Sequence, residues 1–374
     1  MKITAVKISK KPRLDWVMLA CTIVLVGFGI LMVYSASFYS AELTYGDPMF
    51  FAKKQIVGAV LGLAGLIGCS FINYNILQKL KWPAIIISVL LLGAVFIPGI
   101  GITNYGATRW INLGITTMQP SEIAKFGFVI FASAYLSKNY TKVKKFTGIL
   151  PVLLAGGVIC LLIILEPNMS ITICVALTMI VMLIVGGARF KHFLFIGIPM
   201  VAAAVALVLI EPYRLKRLLA FLDPWSSAQA EGFQLVQSLY AVGSGGWFGV
   251  GLFNSRQKYL FLPFAESDFI FSIIAEEFGF VGCVLVCLLY LIIILRGIKI
   301  AKNATNRFGC YLATGVVAII ALQLLINIAV VTGSIPPTGL PLPFISAGST
   351  SLLVFMSAIG VVLNVDRQSR KSKI

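Results

Sequence analysis

Charge is what this chain has least of. Asp, Glu, Lys and Arg make up 11% of its 374 residues, against 59% hydrophobic residues and a mean hydropathy of +0.98. A water-soluble domain of this length could not hide so much apolar surface in its core, so a soluble fold is excluded. No long polar stretch interrupts the chain either. Apolar runs of about 20 residues, the length that crosses a bilayer, recur almost to its end and leave no room for a separate soluble domain. Metal-ligand spacing is absent from the seven cysteines (Cys21, Cys69, Cys160, Cys174, Cys283, Cys287 and Cys310). They lie in or beside the apolar runs and read as small packing residues. The glycine-rich run Gly243–Gly251 has no strand before it and no Gly-Lys-Ser/Thr after it, which argues against a phosphate-binding loop and for close backbone approach. No internal repeat suggests the inverted halves of a secondary transporter.

What is present is an all-α pattern: a polytopic membrane protein, residues 1–374 forming one membrane domain. Ten spans are expected, at roughly 15–37, 53–72, 82–98, 120–137, 148–165, 169–187, 192–210, 269–296, 308–333 and 345–364. The first is read as a retained anchor, because its apolar stretch exceeds a signal-peptide core. Lys and Arg collect in the N-terminal tail, in alternate loops such as Lys138–Lys145 and Arg296–Arg307, and in the C-terminal tail. Positive charge is retained in the cytoplasm, so both termini are expected there. The formal net charge of +17 is covered by this topology signal and by attraction to anionic membrane lipids, so no nucleic-acid partner is needed. The loops at about 38–52, 99–119, 211–268 and 334–344 then face outward. The large loop 211–268 is too long and too aromatic for a tether, and Gln234–Val242 within it has the spacing of an amphipathic helix. The segment Pro336–Thr350 carries four prolines and no charge. Irregular backbone of that kind must pack on protein or line a wet cavity.

The chemistry-bearing residues lie on the outward side. Asp268 opens the eighth span, where it reads either as a helix N-cap or as a partly desolvated acid able to act as a base. Glu276 and Glu277 follow about 12–13 Å further along the helix, as functional acids or as helix-packing groups. In Gly106–Gly114 and Gln119–Lys125, Pro120 opens a helix, with Glu122 in its first turn and Lys125 one turn on. That pair is either structural or a feature of an outward cavity in which Lys125 and Arg109 hold a pyrophosphate, Trp110 packing on a sugar or a prenyl chain. Arg214, Arg217 and Lys258 add outward cations against the cytoplasmic bias, through an anionic ligand or bulk anionic lipid.

Together these stretches resemble the SEDS family (shape, elongation, division, sporulation), whose members include FtsW, RodA and SpoVE. The resemblance covers essentially the whole chain and rests on Gly106–Gly114, Gln119–Lys125, Tyr213–Trp225, Gln237–Gly246, Asn254–Lys258, Asp268–Glu277 and Thr338–Ser346. Phe221-Leu-Asp-Pro-Trp225 and Asn254–Lys258 look closer to the FtsW and SpoVE branch. It implies a peptidoglycan glycosyltransferase that polymerises lipid II on the outer face of the cytoplasmic membrane, in cell division or sporulation, beside a class B penicillin-binding protein that cross-links the nascent strands. Asp268 matches the family's essential outward aspartate, and Trp110, Glu122, Lys125 and Glu277 match other positions the family depends on. Two departures stand out. Glu166-Pro167-Asn168 replaces the usual Glu-Pro-Asp, and Pro263–Ser267 replaces the usual Pro-Glu-Ala-His-Thr, with Glu266 a substitute for the acid missing there.

On this reading Asp268 is the base, and Arg109, Lys125, Arg214, Arg217 and Lys258 meet the departing pyrophosphate, with a divalent cation (Mg2+ or Mn2+) left open and no nucleotide or haem expected. Two alternatives compete: a flippase for the same lipid, and a non-catalytic scaffold for the penicillin-binding protein.

Overall fold

The computed structural model describes residues 14–104, 107–112, 117–210, 212–230, 232–337 and 339–372. Each expected span falls on a helix: α1 (Trp16–Tyr45), α2 (Phe50–Phe71), then, after the short α3 (Asn75–Lys79), α4 (Lys81–Ala94), α5 (Pro120–Lys138), α6 (Phe146–Leu165), α7 (Met169–Val185) and α8 (Phe190–Ile210). Beyond α9 (Pro212–Leu222) and α10 (Phe233–Ser244) come α11 (Ile270–Lys302), α12 (Arg307–Val331) and α13 (Ser349–Ser372). Six of these, α1, α2, α6, α11, α12 and α13, are long and apolar enough to cross a bilayer by length and composition, and α4 and α7 are shorter apolar helices. The chain is a multi-pass membrane protein. One piece departs from the all-α pattern. Within the 99–119 loop, β1 (Gly101–Asn104), β2 (Ala107–Asn112) and β3 (Thr117–Met118) form a three-stranded antiparallel sheet in the order β1-β2-β3. Pairing between the strands satisfies backbone groups that no helix takes up there.

Local chemistry sets the helix ends. The Asp15 carboxylate accepts the Met18 amide at 3.0 Å and starts α1, and Gly46 ends it in the left-handed region at φ 67°. Pro120 is the first residue of α5, and the side chains of Asn168 and Asn306 cap α7 and α12. Packing follows close approach rather than apolarity, since lipid is as apolar as a leucine side chain. Helices α2 and α13 meet where Gly58 lets Ser349 approach so closely that a Cβ on Gly58 would lie 2.6 Å from the Ser349 Cα. Helices α5 and α12 are largely enclosed and meet where Gly315 lets Val129 approach, so that an added Cβ on Gly315 would collide with the Val129 Cγ1.

The eighth span is not one continuous helix. Gly279 leaves helical geometry at φ 65°, ψ −165° and breaks α11 into two pieces. Backbone from the glycine-rich run closes the gap. Val250 N–H donates to the Glu276 carbonyl at 2.9 Å and Gly251 N–H to that of Glu277 at 3.1 Å. In return Phe280 N–H donates to the Gly246 carbonyl at 2.9 Å and Val281 N–H to that of Trp247 at 3.1 Å. The glycines of this run therefore serve close approach to a helix, as expected of them. Gly249 needs its glycine twice over, since its φ is +80° and a Cβ there would collide with the Glu277 carbonyl. Gly249→Ala is expected to destabilise the protein by about 2 kcal/mol or more. Thermal unfolding in detergent checks it, and an unchanged midpoint would contradict the close fit.

Candidate active site

Loops gather at one end of the helices. There the β-sheet, the 166–168 turn, the 245–269 segment and the 332–348 segment adjoin the starts of α2, α5, α11 and α13. Asp268 lies at this end, half-buried. It stands just before α11, which starts at Ile270 with Phe269 at the cap position. Its segment is tied down carbonyl by carbonyl. Ala347 N–H donates to the Glu266 carbonyl at 2.9 Å, Ser346 Oγ to that of Ser267 at 2.5 Å and Asn327 Nδ2 to that of Asp268 at 2.9 Å. The proline-rich segment is thus packed on protein, a wall against the acid. An added Cβ at Gly339, whose φ is +60°, would lie 2.8 Å from the Asp268 Oδ2. Burial, and next the neighbouring Asp268 charge, push the Glu266 carboxyl above its usual range.

The same wall continues to the second constellation. Beyond the segment, Ser351 Oγ donates to Glu122 Oε2 at 2.8 Å, and Lys125 Nζ donates to Glu122 Oε1 at 2.8 Å. Both charged side chains are within 1% of complete burial, and the ammonium sits 5.2 Å from the centre of the Phe355 ring. Thr350 Oγ1 also donates to the Thr117 carbonyl, which joins α13 to the sheet. Residues 339–351 therefore link Asp268 at one end to the Glu122–Lys125 pair at the other. Arg109 and Trp110 sit half-buried on β2. Arg109 donates through Nε to the Glu166 carbonyl at 3.2 Å and through Nη2 to that of Pro167, closing the C-terminal end of α6.

Glu276 and Glu277 are both buried and both turned onto one loop. Glu276 accepts Ser255 Oγ at 2.5 Å, the Arg256 amide at 2.9 Å and the Gln257 amide at 3.4 Å. Glu277 accepts Ser35 Oγ at 2.7 Å, Lys258 Nζ at 3.0 Å and the Ser255 amide at 3.4 Å. Lys258 is enclosed by this pairing and by the rings of Phe38, Phe253 and Tyr259, with Ser35 Oγ as a second acceptor at 3.3 Å. Its charge is met by an acid of the same chain because an ammonium with no exposed surface needs one. Arg214 and Arg217 fall on α9, but their side chains lie outside the described residues. Among the described residues, no three His, Cys, Asp or Glu side chains gather to hold a metal.

Residue-level reasoning missed Ser35, Ser255, Asn327 and Ser351. Ser35 and Asn327 each stand as a polar interruption in an apolar run, the signal that could have marked them, whereas Ser351 follows Ser349 and Thr350 in a polar stretch.

A model describing cell cycle proteins, that of the FtsW, RodA and SpoVE type, matches residues 15–371. The chain belongs to this family. It is similar to stage V sporulation protein E of Bacillus subtilis (strain 168), at 40% identity over 363 residues, 97% of this chain and 99% of that protein. It is also similar to a probable peptidoglycan glycosyltransferase FtsW of Geobacter sp. (strain M18), at 37% identity over 95% of this chain and 97% of that one. Among solved structures, a chain of a peptidoglycan synthase complex described as coordinating polymerization and crosslinking aligns with a TM-score of 0.78 at 26% identity, covering 95% of this chain and 98% of that one. The rod shape determining protein RodA of Thermus thermophilus aligns with a TM-score of 0.68 at 25% identity, covering 95% and 97%. The family resemblance read from the motifs is thereby shown.

One acid at this end carries its own signature. Glu166, in the turn between α6 and α7, is fully buried, and neither carboxylate oxygen has a hydrogen-bond partner. Burial raises its carboxyl to about 8, against a smaller lowering by Arg109. A carboxyl raised on folding contributes stability that is whole below its unfolded value near 4.5 and is lost as the pH climbs through 8. Glu166→Gln is therefore expected to gain on the parent in thermal unfolding as pH rises from about 4.5 to about 8, with a constant gap above. A gap that does not change with pH would contradict the burial of this acid in neutral form.

Proposed function

We propose that this chain is a peptidoglycan glycosyltransferase, transferring glycan from lipid II to a growing strand at the outer face of the cytoplasmic membrane, with Asp268 as its base. The observation that carries the reading is the placement of Asp268. Three successive carbonyls fix its segment at the loop end, beside the wall formed by the 339–348 backbone. Membership in a family with relatives named peptidoglycan glycosyltransferases supports the chemistry. The sidedness rests on the Lys and Arg of the tails and alternate loops, which put both termini in the cytoplasm and the loop end outside.

The groups divide the work as follows. Asp268 takes the proton of the acceptor sugar's 4-hydroxyl as that oxygen attacks the anomeric carbon of the donor, with inversion. The bond to the lipid diphosphate breaks, and negative charge grows on the leaving oxygens. Arg109, Arg214 and Arg217 meet that charge. Lys125 has N–H donors beyond the one given to Glu122 and adds its field from below, while Trp110 packs on the sugar or prenyl chain. Glu276 and Glu277, with Lys258, hold the 255–258 loop in place instead of touching substrate. A class B penicillin-binding protein would receive the strands for cross-linking, in keeping with the synthase complex to which the fold is similar. No step is routed through a metal ion.

A flippase or a scaffold would not depend on the Asp268 proton acceptor. Asp268→Asn, purified and folded, is expected to lose lipid II polymerisation by about 100-fold or more, read as strand length on gels. Polymerisation at the parent rate would refute the assignment.

A further inference from the structure

The carboxylate of Asp268 is only as useful as its aim, and the aim is set from a residue far away in sequence. Asn327 lies on α12 one turn before that helix ends, 1% exposed. Its amide nitrogen donates to the Asp268 carbonyl at 2.9 Å and to the Leu340 carbonyl at 2.7 Å. An amide group carries two N–H donors, so both are spent on backbone. The first holds the residue that carries the acid, and the second holds the proline-rich wall beside it. Gly339, next to Leu340, is the residue whose missing side chain leaves room for the Asp268 Oδ2. Asn327 Oδ1 is buried with no hydrogen-bond partner. The side chain therefore leaves one buried acceptor unsatisfied, a cost that a merely space-filling residue would not incur.

We propose that Asn327 is a positioning residue for glycosyl transfer: it fixes Asp268 and the 339–340 backbone as one unit, so that the carboxylate meets the acceptor hydroxyl at a set place. The proposal rests on the reading of Asp268 as the base. Asn327 touches no reacting atom, and it acts through the peptide it holds. Without it, Asp268 keeps its chemistry and loses its address. A displacement of about 1 Å at a reacting group is enough to cost about 100-fold in rate.

Two readouts on the full-length chain test this. Asn327→Ala is expected to lower the kcat of lipid II polymerisation by about tenfold to 100-fold with KM little changed. Separately, the thiol of Asp268→Cys, labelled with a charged methanethiosulfonate and located by peptide mass spectrometry, is expected to react at a different rate once Asn327→Ala is added. A fall in kcat with an unaltered labelling rate marks a structural role and overturns the proposal. So does a parental kcat, whatever the labelling shows. Should Asn327→Ala fail to fold, Gly339→Ala tests the same geometry from the other side. Its methyl group meets the Asp268 Oδ2 directly, and the same paired changes in kcat and labelling are expected. Parental values for both in Gly339→Ala overturn the proposal. Failure of the base reading is distinguishable: it shows as an active Asp268→Asn, whereas an inactive Asp268→Asn beside a parental Asn327→Ala removes this inference alone.

Discussion

Backbone that stops being helical where lipid is near must find its hydrogen bonds in protein, and the loop end of this molecule is organised by that requirement. Three stretches leave helical geometry there, and each is answered by another. The break at Gly279 is filled by the glycine-rich run, which supplies two amides and two carbonyls to the severed turn. The carbonyls of residues 266–268 are taken by Ser346, Ala347 and Asn327. The end of the segment before α13 is held in turn by Gln55, whose side chain donates to the Ser346 carbonyl and accepts the Gly348 amide, each at 3.0 Å. A reactive acid can be held still at such a place because the carbonyls of its own segment are bonded to protein.

Charge is managed by the same economy. The molecule has few acids, and the buried ones nearest the loop end are mostly committed. Glu122 is held by Lys125 and Ser351, Glu277 by Lys258 and Ser35, and Glu276 by three groups of the 255–257 loop. A buried ion pair is weak evidence for stability in itself, but removing one partner strands the other, at about 3–5 kcal/mol. These pairs therefore fix where loops sit more than they strengthen the fold. At the far end of the bundle, Asp15 pairs with Arg296 at 2.6 Å and with Arg370 at 3.8 Å and so joins α1, α11 and α13 in a similar way.

The sequence displays the helices plainly and the site only in part. Every expected span coincides with a helix because apolar length is a local property, and Pro120 opens α5 for an equally local reason. The sheet at 101–118 went unseen, since its strands are short and flanked by glycine. The break in α11 was also hidden. A glycine within a helix-like pattern is tolerated often enough that only the arrival of residues 246–251 reveals Gly279 as an interruption. Lys258 was read as an outward cation because its partner Glu277 lies 19 residues on, and its other acceptor, Ser35, is 223 residues away. Asp268 itself was legible as an acid at a span entrance. Its position just ahead of the helix, which starts at Ile270, is visible only in the structure.

The account turns on a sugar hydroxyl and a diphosphate meeting at the loop end, with the acid on one side of the 339–351 segment and the cations on the other. The most direct measurement is a structure of Asp268→Asn with a lipid-linked disaccharide diphosphate and an acceptor strand bound. The account predicts the acceptor 4-hydroxyl within hydrogen-bond distance of the side chain at position 268 and the diphosphate beside Arg109. A substrate seated at the Asp15–Arg296 end, or a hydroxyl remote from position 268, would contradict it.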